Sequence, residues 1–278
     1  MTKLRRDEGR KTTRLDLHVH TRGSDGWGSP EDIVGKAIER GLDGLVICDH
    51  HRTTTTEGTQ VIELGRRHGL IMLRGCEYST KQGHCLVYGC DVGALNLGRY
   101  PEMAAVIAAA KRAGGIAFPS HPYYGYRERC GDHVFQLGAG LRAVETINGQ
   151  NELRAPQTNR QAEQAAGELG IKGVGGSDAH GPDQVGLAYT TFPGLIGTER
   201  QLVRALRRGT FQACRNQRAI DGVRLVRNRA FPENKLPVVS IFGAAATKLD
   251  KTSMVRDLTN HEPEEIETAR AAQTWSLY

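Results

Sequence analysis

"RLDLHVHTRGSDGWGSPEDIVGKAIERGLDGLVICDH", residues 14–50, reads as two apolar runs joined by one helix. The runs "RLDLHVH" and "GLDGLVICDH" are almost continuously apolar, as strands covered on both faces must be. Between them Ser29 can cap a helix, Pro30 suits its first position, Glu31 and Asp32 favour the positive end of its dipole, and Gly41 closes it. Five further runs follow: "LIMLRGCEYS", "HCLVYGC", "GIAFPSHP", "LRAVETIN" and "IKGVGGSDAH". The segments "PEMAAVIAAAKRAGG", "TNRQAEQAAGELG" and "TERQLVRALRRG" carry comparable helix signals. Strand and helix alternating about seven times predict an α/β fold, a closed (β/α) barrel.

A chain of 278 residues, 38% hydrophobic, suits one barrel-sized domain. The expected organisation is a basic N-terminal tail (1–12), the barrel (13–214) and a C-terminal extension (215–278). In the extension the pattern weakens to one strand candidate, "LPVVSIFG", and a polar stretch that ends aromatic. No apolar run approaches the ~20 residues that cross a bilayer, which excludes a membrane-spanning role. The basic start has no apolar segment behind it, unlike a secretory signal. Six cysteines without a C-x-x-C pair fit small buried thiols in a reducing cytoplasm. A net charge of +6, with the positive residues scattered, favours anionic partners only generally.

The chemistry collects at the run ends. His18 and His20 end the first run and, two residues apart on a strand, share a face. The second run ends in Asp49 and His50, the third at Glu77, the fifth at His121, and the seventh at Asp178 and His180. His84 begins the fourth run, and Asp25 lies just past the first. In a barrel these ends converge on one rim. One histidine at a strand end is ordinarily a hydrogen-bonded core residue. Two imidazoles on one strand face are costly to bury without a shared partner. Six of the ten histidines in such places, with three carboxylates, point to a metal centre. His51, His68, His133 and His261 read as structural or solvated. Asp16, one strand step before His18 and on the same face, either orients that ligand or is structural.

"DLHVHTRGSDG", "ICDHH", "GCEYS", "HCLVYG", "SHP" and "GGSDAH", in that order over residues 13 to 214, resemble the PHP (polymerase and histidinol phosphatase) superfamily of metal-dependent phosphoesterases. "VETINGQN" before an alanine-rich helix is similar to its small phosphoesterase branch. The resemblance implies a distorted (β/α)7, TIM-like barrel. It implies one ion held by His18, His20, Glu77 and Asp178, a second by Glu77, His84 and His121 with Glu77 bridging, and a third by Asp25, His50 and His180. Two or three divalent ions are thus expected, and mixed imidazole and carboxylate ligation suits manganese, iron or zinc. Three such ions would bring six positive charges against three carboxylates, a surplus that favours a bound hydroxide and an anionic phosphate.

The implied function is hydrolysis of phosphomonoesters or nucleotides by water. No G-x-S-x-G, P-loop or Cys–His pairing offers a protein nucleophile. The alternative is an exonuclease or phosphodiesterase acting on short oligonucleotides or cyclic or bis-phosphorylated nucleotides. Histidinol phosphatase, amidohydrolase and non-catalytic scaffold stand further off. Two-metal amidohydrolases often bridge through a lysine at a mid-barrel strand end, and no mid-chain run here ends in Lys; a scaffold is expected to lose ligands. Candidate substrate contacts are Arg127 and Arg129 in "PYYGYRERC", and Arg22 and Arg52 just after ligand-bearing strands, with solvated loop charge as the plain alternative. Asn148 is expected to organise the rim. The expected partner is a phosphorylated small molecule or short nucleic acid, with no membrane; nothing in the sequence bears on oligomeric state.

Overall fold

β1 (Thr12–Val19) and β2 (Gly44–Ile47) pair in parallel, with α1 (Pro30–Glu39) crossing between them. Ser29 Oγ accepts the Asp32 N–H at 3.1 Å, a cap worth ~1 kcal/mol. The apolar stripe Ile33, Val34 and Ala37 is buried with Leu45 and Ile47 of β2. The structure, a computed structural model, describes residues 12–230.

α2 (Thr56–Arg67) leads to β3 (Ile71–Thr80), parallel to β2. The regular alternation then breaks. β4 (Gly83–Tyr88) follows β3 through a tight hairpin and is antiparallel both to it and to β5 (Ile116–Pro119), which comes after α3 (Met103–Arg112). Only Lys81 and Gln82 separate β3 from β4, too few residues for a crossover, so the expected helix is absent there. The hairpin also explains how His84, at the start of its strand, reaches the rim where other strands end. Ser79 pairs with His84 and Glu77 with Leu86, so Glu77 and His84 share a face.

β6 (Ala143–Asn148) and β7 (Lys172–Gly176) form a parallel pair around α4 (Gly149–Arg154) and α5 (Pro156–Glu168). The other strands run in the order β5-β4-β3-β2-β1-β8-β9. This sheet includes β8 (Ala188–Pro193) and β9 (Gln212–Arg215), which the sequence reading did not anticipate and which flank α6 (Glu199–Arg208). β8 pairs antiparallel with the first half of β1. The far end of β1 instead meets the segment after β7, where Ala179 N–H donates to His18 O at 3.2 Å and His20 N–H to Ala179 O at 2.9 Å. On the other side His121 N–H donates to Glu145 Oε2 at 2.8 Å, linking β5 to β6. The curled sheet and this pair make the distorted TIM-like α/β barrel.

One irregularity decides the site. Asp16 pairs with Leu45, but Val19 pairs with Ile47, so β1 carries one residue more than β2 in that interval. Such a bulge shifts the side-chain alternation. Asp16 therefore faces with Leu45 and Val19, not with His18, which corrects the expectation that Asp16 and His18 share a face. Its carboxylate accepts the N–H groups of Ser177 at 2.8 Å, Gly186 at 2.7 Å and His18 at 3.2 Å, fastening β1 to the chain after β7. Burial pushes the Asp16 carboxyl up to about 6, against those hydrogen bonds.

After β9 the chain continues as α7 (Gln217–Ala230), whose Ile220 and Val223 are buried with Leu187. The basic tail, the rest of the extension with "LPVVSIFG", and His261 lie outside the described residues. All six cysteines are free. No helix among the described residues is long and apolar enough to cross a membrane.

Candidate metal centre

The barrel mouth gathers side chains that lie far apart in sequence. His18 and His20 enter from the bulged end of β1, His50 from the turn after β2, and Glu77 and His84 from the β3–β4 hairpin. His121 follows β5, Asp178 and His180 follow β7, and Asp25 comes from the loop after β1. The structure thus brings together all nine expected residues. Three overlapping groups have ligand atoms within 4.8 Å of one another: His18, His20, Glu77 and Asp178; His20, Asp25, His50 and His180; and His50, Glu77 and His84.

Glu77 is the hub. Its Oε1 lies 2.9 Å from His121 Nε2 and 3.3 Å from His84 Nδ1. Its Oε2 lies 3.5 Å from His18 Nε2, 3.3 Å from His20 Nε2 and 3.6 Å from His50 Nε2. Asp178 Oδ1 sits 3.4 Å from His18 Nε2 and 3.3 Å from His20 Nε2. Asp25 Oδ2 faces His180 Nε2 at 3.1 Å and His50 Nε2 at 3.4 Å. Asp178 and His121 hold left-handed backbone at φ 54° and 26°, and His51 beside His50 does so at 58°. Strain of this kind persists where the surroundings over-determine it.

Electrostatics follow from this crowding. Burial opposes charging of His20, yet Asp25, Asp178 and Glu77 outweigh it and lift the ring to about 10. Burial likewise opposes His121, but Glu77, Asp178 and Glu145 lift it to about 9. His18 rises well above the usual imidazole range against its own burial, driven by Asp178, Glu77 and Glu145. Burial alone would raise the Glu77, Asp178 and Asp25 carboxyls; the facing imidazoles hold all three below the usual carboxylate range. The pocket draws in positive charge, with protons serving when nothing else does.

A divalent ion fits this donor set better than protons do. His18 Nε2 and His20 Nε2 face each other at 3.1 Å, and two imidazole nitrogens so close need a proton between them or a shared cation. Asp178 Oδ1, His50 Nδ1 and His121 Nδ1 are buried without a hydrogen bond among the described residues.

An outer layer, of which the sequence points only to Asn148 as a rim organiser, orients these groups. Glu145 of β6, fully buried, holds His18 Nδ1 at 3.0 Å through Oε1. Its Oε2 accepts the His121 N–H at 2.8 Å and Asn148 Nδ2 at 2.9 Å. A proton on His18 Nδ1 shared with Glu145 leaves Nε2 free to act as a ligand atom. Ser120 Oγ donates to Glu77 Oε1 at 2.7 Å, and Gln150 Nε2 lies 2.8 Å from His180 Nδ1. Asp49 accepts Thr21 N–H, Thr21 Oγ1 and Ser24 Oγ at 2.7, 2.7 and 3.0 Å, pinning the loop that carries Asp25. Asn148 caps α4 through Asn151 N–H and also reaches Asp178 Oδ2 at 3.2 Å, so it organises the rim. A glutamate inside an otherwise apolar strand run was the available signal for Glu145. Glu145→Gln keeps the side-chain volume but removes the charge behind His18. Metal affinity is expected to fall ~10–100-fold with the fold retained, measured by titrating the chelated protein with Mn²⁺.

The four candidate arginines are all exposed. Arg22 Nε donates to Trp27 O at 3.0 Å. Arg52 lies with Asp49, Thr55 and Arg74 beside the start of α2. Arg127 and Arg129 lie on the loop after His121, which is tied to β4 where His84 N–H donates to Glu128 O at 3.0 Å. No hydrogen bond among the described residues joins any of the four to the nine central side chains. His68 caps the C-terminal end of α2, and the exposed His51 stacks edge-on against Tyr78 at 5.1 Å.

Comparison with known proteins points the same way. The PHP domain family matches residues 16–127, and the PHP-associated family matches residues 156–211. A 5'-3' exoribonuclease of Haemophilus influenzae is 32% identical over 103 residues, covering 36% of this chain and 35% of that protein. A phosphoribosyl 1,2-cyclic phosphate 1,2-diphosphodiesterase of Eggerthella lenta is 35% identical over 85 residues, covering 28% of this chain and 32% of that protein. The chain thus spans about a third of the length of these two relatives. A two-domain protein from Bacteroides vulgatus containing a predicted PHP-like metal-dependent phosphoesterase shares the fold. Its TM-score is 0.56 at 19% identity, over 76% of this chain and 69% of that one.

Proposed function

We propose, from the premise that this chain belongs to the PHP family and is a metal-dependent phosphoric ester hydrolase, that it cleaves nucleotide-type phosphate esters at a centre of two or three divalent ions. The observation that carries this is the convergence of six imidazoles on three carboxylates around Glu77. His18, His20, Glu77 and Asp178 would hold one ion, Glu77, His84 and His121 a second, and Asp25, His50 and His180 a third. His50 is near enough to Glu77 to serve either of the last two. Bound there, divalent ions supply Lewis-acid charge for the phosphoryl oxygens and a nucleophilic water near neutral pH.

The chain's own residues do the rest. Glu145, Ser120, Asn148 and Asp49 hold the inner side chains in fixed orientation, so the charge pattern is set before substrate arrives. Half-exposed Asp25 and partly exposed His50 and His180 form the open side of the centre, where an ester enters. The exposed arginines at 22, 52, 127 and 129 would supply positive charge for the ester's anionic groups outside it.

Monoester cleavage and diester cleavage both suit this site. Two of the curated relatives are named as a ribonuclease and a diphosphodiesterase, which favours the diester reading for short oligonucleotides or cyclic nucleotides. Hydrolysis of p-nitrophenyl phosphate and bis-p-nitrophenyl phosphate, side by side with added Mn²⁺ and after chelation, separates them. Chelator-sensitive turnover is expected, faster on the diester. Faster monoester turnover reverses the preference, and turnover that survives chelation overturns the metal-dependent reading.

A further inference from the structure

Trp27 is the largest side chain left half-exposed beside the metal centre: 50% of its surface faces solvent. The surrounding backbone holds this indole in place. Trp27 N–H donates to His180 O at 2.8 Å, tying it to one candidate ligand, and Asp25 lies two residues upstream. Three glycines frame it. A side chain at Gly26 would strike the His20 carbonyl carbon and oxygen, both at 2.8 Å, and one at Gly28 would crowd Ile33 and Pro182, both at 3.0 Å. Gly181, next to His180, admits no side chain because the Trp27 ring occupies that space. The ring therefore sits at a fixed place on the rim, on the Asp25–His180 side.

Arg22 belongs to the same unit. Its Nε donates to Trp27 O at 3.0 Å, while its terminal nitrogens make no hydrogen bond among the described residues. An aromatic face and a guanidinium, held together beside a phosphoester centre, match the two ends of a nucleotide.

We infer that Trp27 is a stacking platform for the heteroaromatic base of the substrate, and that Arg22, anchored on its carbonyl, meets a phosphate. The inference rests on the phosphoesterase reading and names the residues that would select the nucleotide-type esters proposed there over aliphatic and sugar phosphates.

The test uses the Mn²⁺-loaded full chain with two ester pairs that differ only in the base: adenosine 5'-phosphate against ribose 5-phosphate, and the methyl diester of each. The base is expected to raise kcat/KM by roughly tenfold or more, the range of one base stacked on an aromatic side chain. Trp27→Ala should cost the adenosine esters far more than the ribose esters, bringing the ratio within each pair close to one, and Trp27→Phe should keep most of that ratio. Equal kcat/KM with and without the base in the parent chain, or an equal loss on both members of a pair in Trp27→Ala, overturns the stacking role and leaves the phosphoesterase reading intact. Hydrolysis of neither pair by a chain that still holds its metal overturns both.

Discussion

Asp178→Asn is expected to leave a folded chain that holds less metal and turns over phosphate esters at least ~10²-fold more slowly. Asn is the informative replacement because position 178 has φ 54°, where Asn is tolerated better than other residues of comparable size. The change removes only the charge that faces His18 Nε2 and His20 Nε2. Leaving a buried charge without its partner ordinarily costs ~3–5 kcal/mol. These imidazoles can shed their protons instead, so the fold is expected to survive. Metal content of the purified variant, its turnover and its far-ultraviolet circular dichroism decide the matter. A variant with full metal and full activity would falsify Asp178 as a ligand.

The second large effect is on stability and pH in the chelated chain. His20 at about 10 and His121 at about 9 stand above the ~6.5 of an unfolded histidine. Groups raised in the folded state contribute stability that is fully present below pH ~6.5 and is lost as pH climbs through their folded values. The His121 shift alone corresponds to roughly 3 kcal/mol. The metal-free protein should therefore melt well below its pH 6.5 midpoint when heated at pH 9.5. Divalent ions take over the protons' place, so Mn²⁺ should restore the midpoint at pH 9.5 and release protons on binding. Calorimetry at the two pH values, with chelator and with Mn²⁺, reads this directly. A chelated midpoint that holds or rises between them contradicts the account.

The nine central side chains were legible because each closes or opens an apolar run, or sits just past one, where a polar residue needs a reason to be. Their convergence followed from barrel geometry alone. Glu145 gave a weaker signal: it interrupts "AVETIN" without ending it, and its partner His18 lies 127 residues away. The bulge in β1 was hidden for a different reason, since alternation in sequence assumes one residue per pairing step and cannot show an extra one. Asp16 was misplaced on that account. β8 escaped notice because its partly exposed alternation lacks the continuous apolar signal of the interior strands. The hairpin after β3, by contrast, could have been read from the four residues "TKQG" between two runs, too short a link for any helix.

That hairpin has a kinetic consequence. Glu77 and His84 are brought together by a local turn, a contact that closes in microseconds and carries little loop entropy. Asp25 and His180, by contrast, meet across 155 residues, and only once the chain after β7 has returned to β1. Two of the nine central side chains are therefore expected to meet early in folding, whereas the Asp25–His180 contact has to wait for that return. An ion held by residues of both contacts would act as a latch on the closed chain, and is expected to slow unfolding far more than it speeds folding.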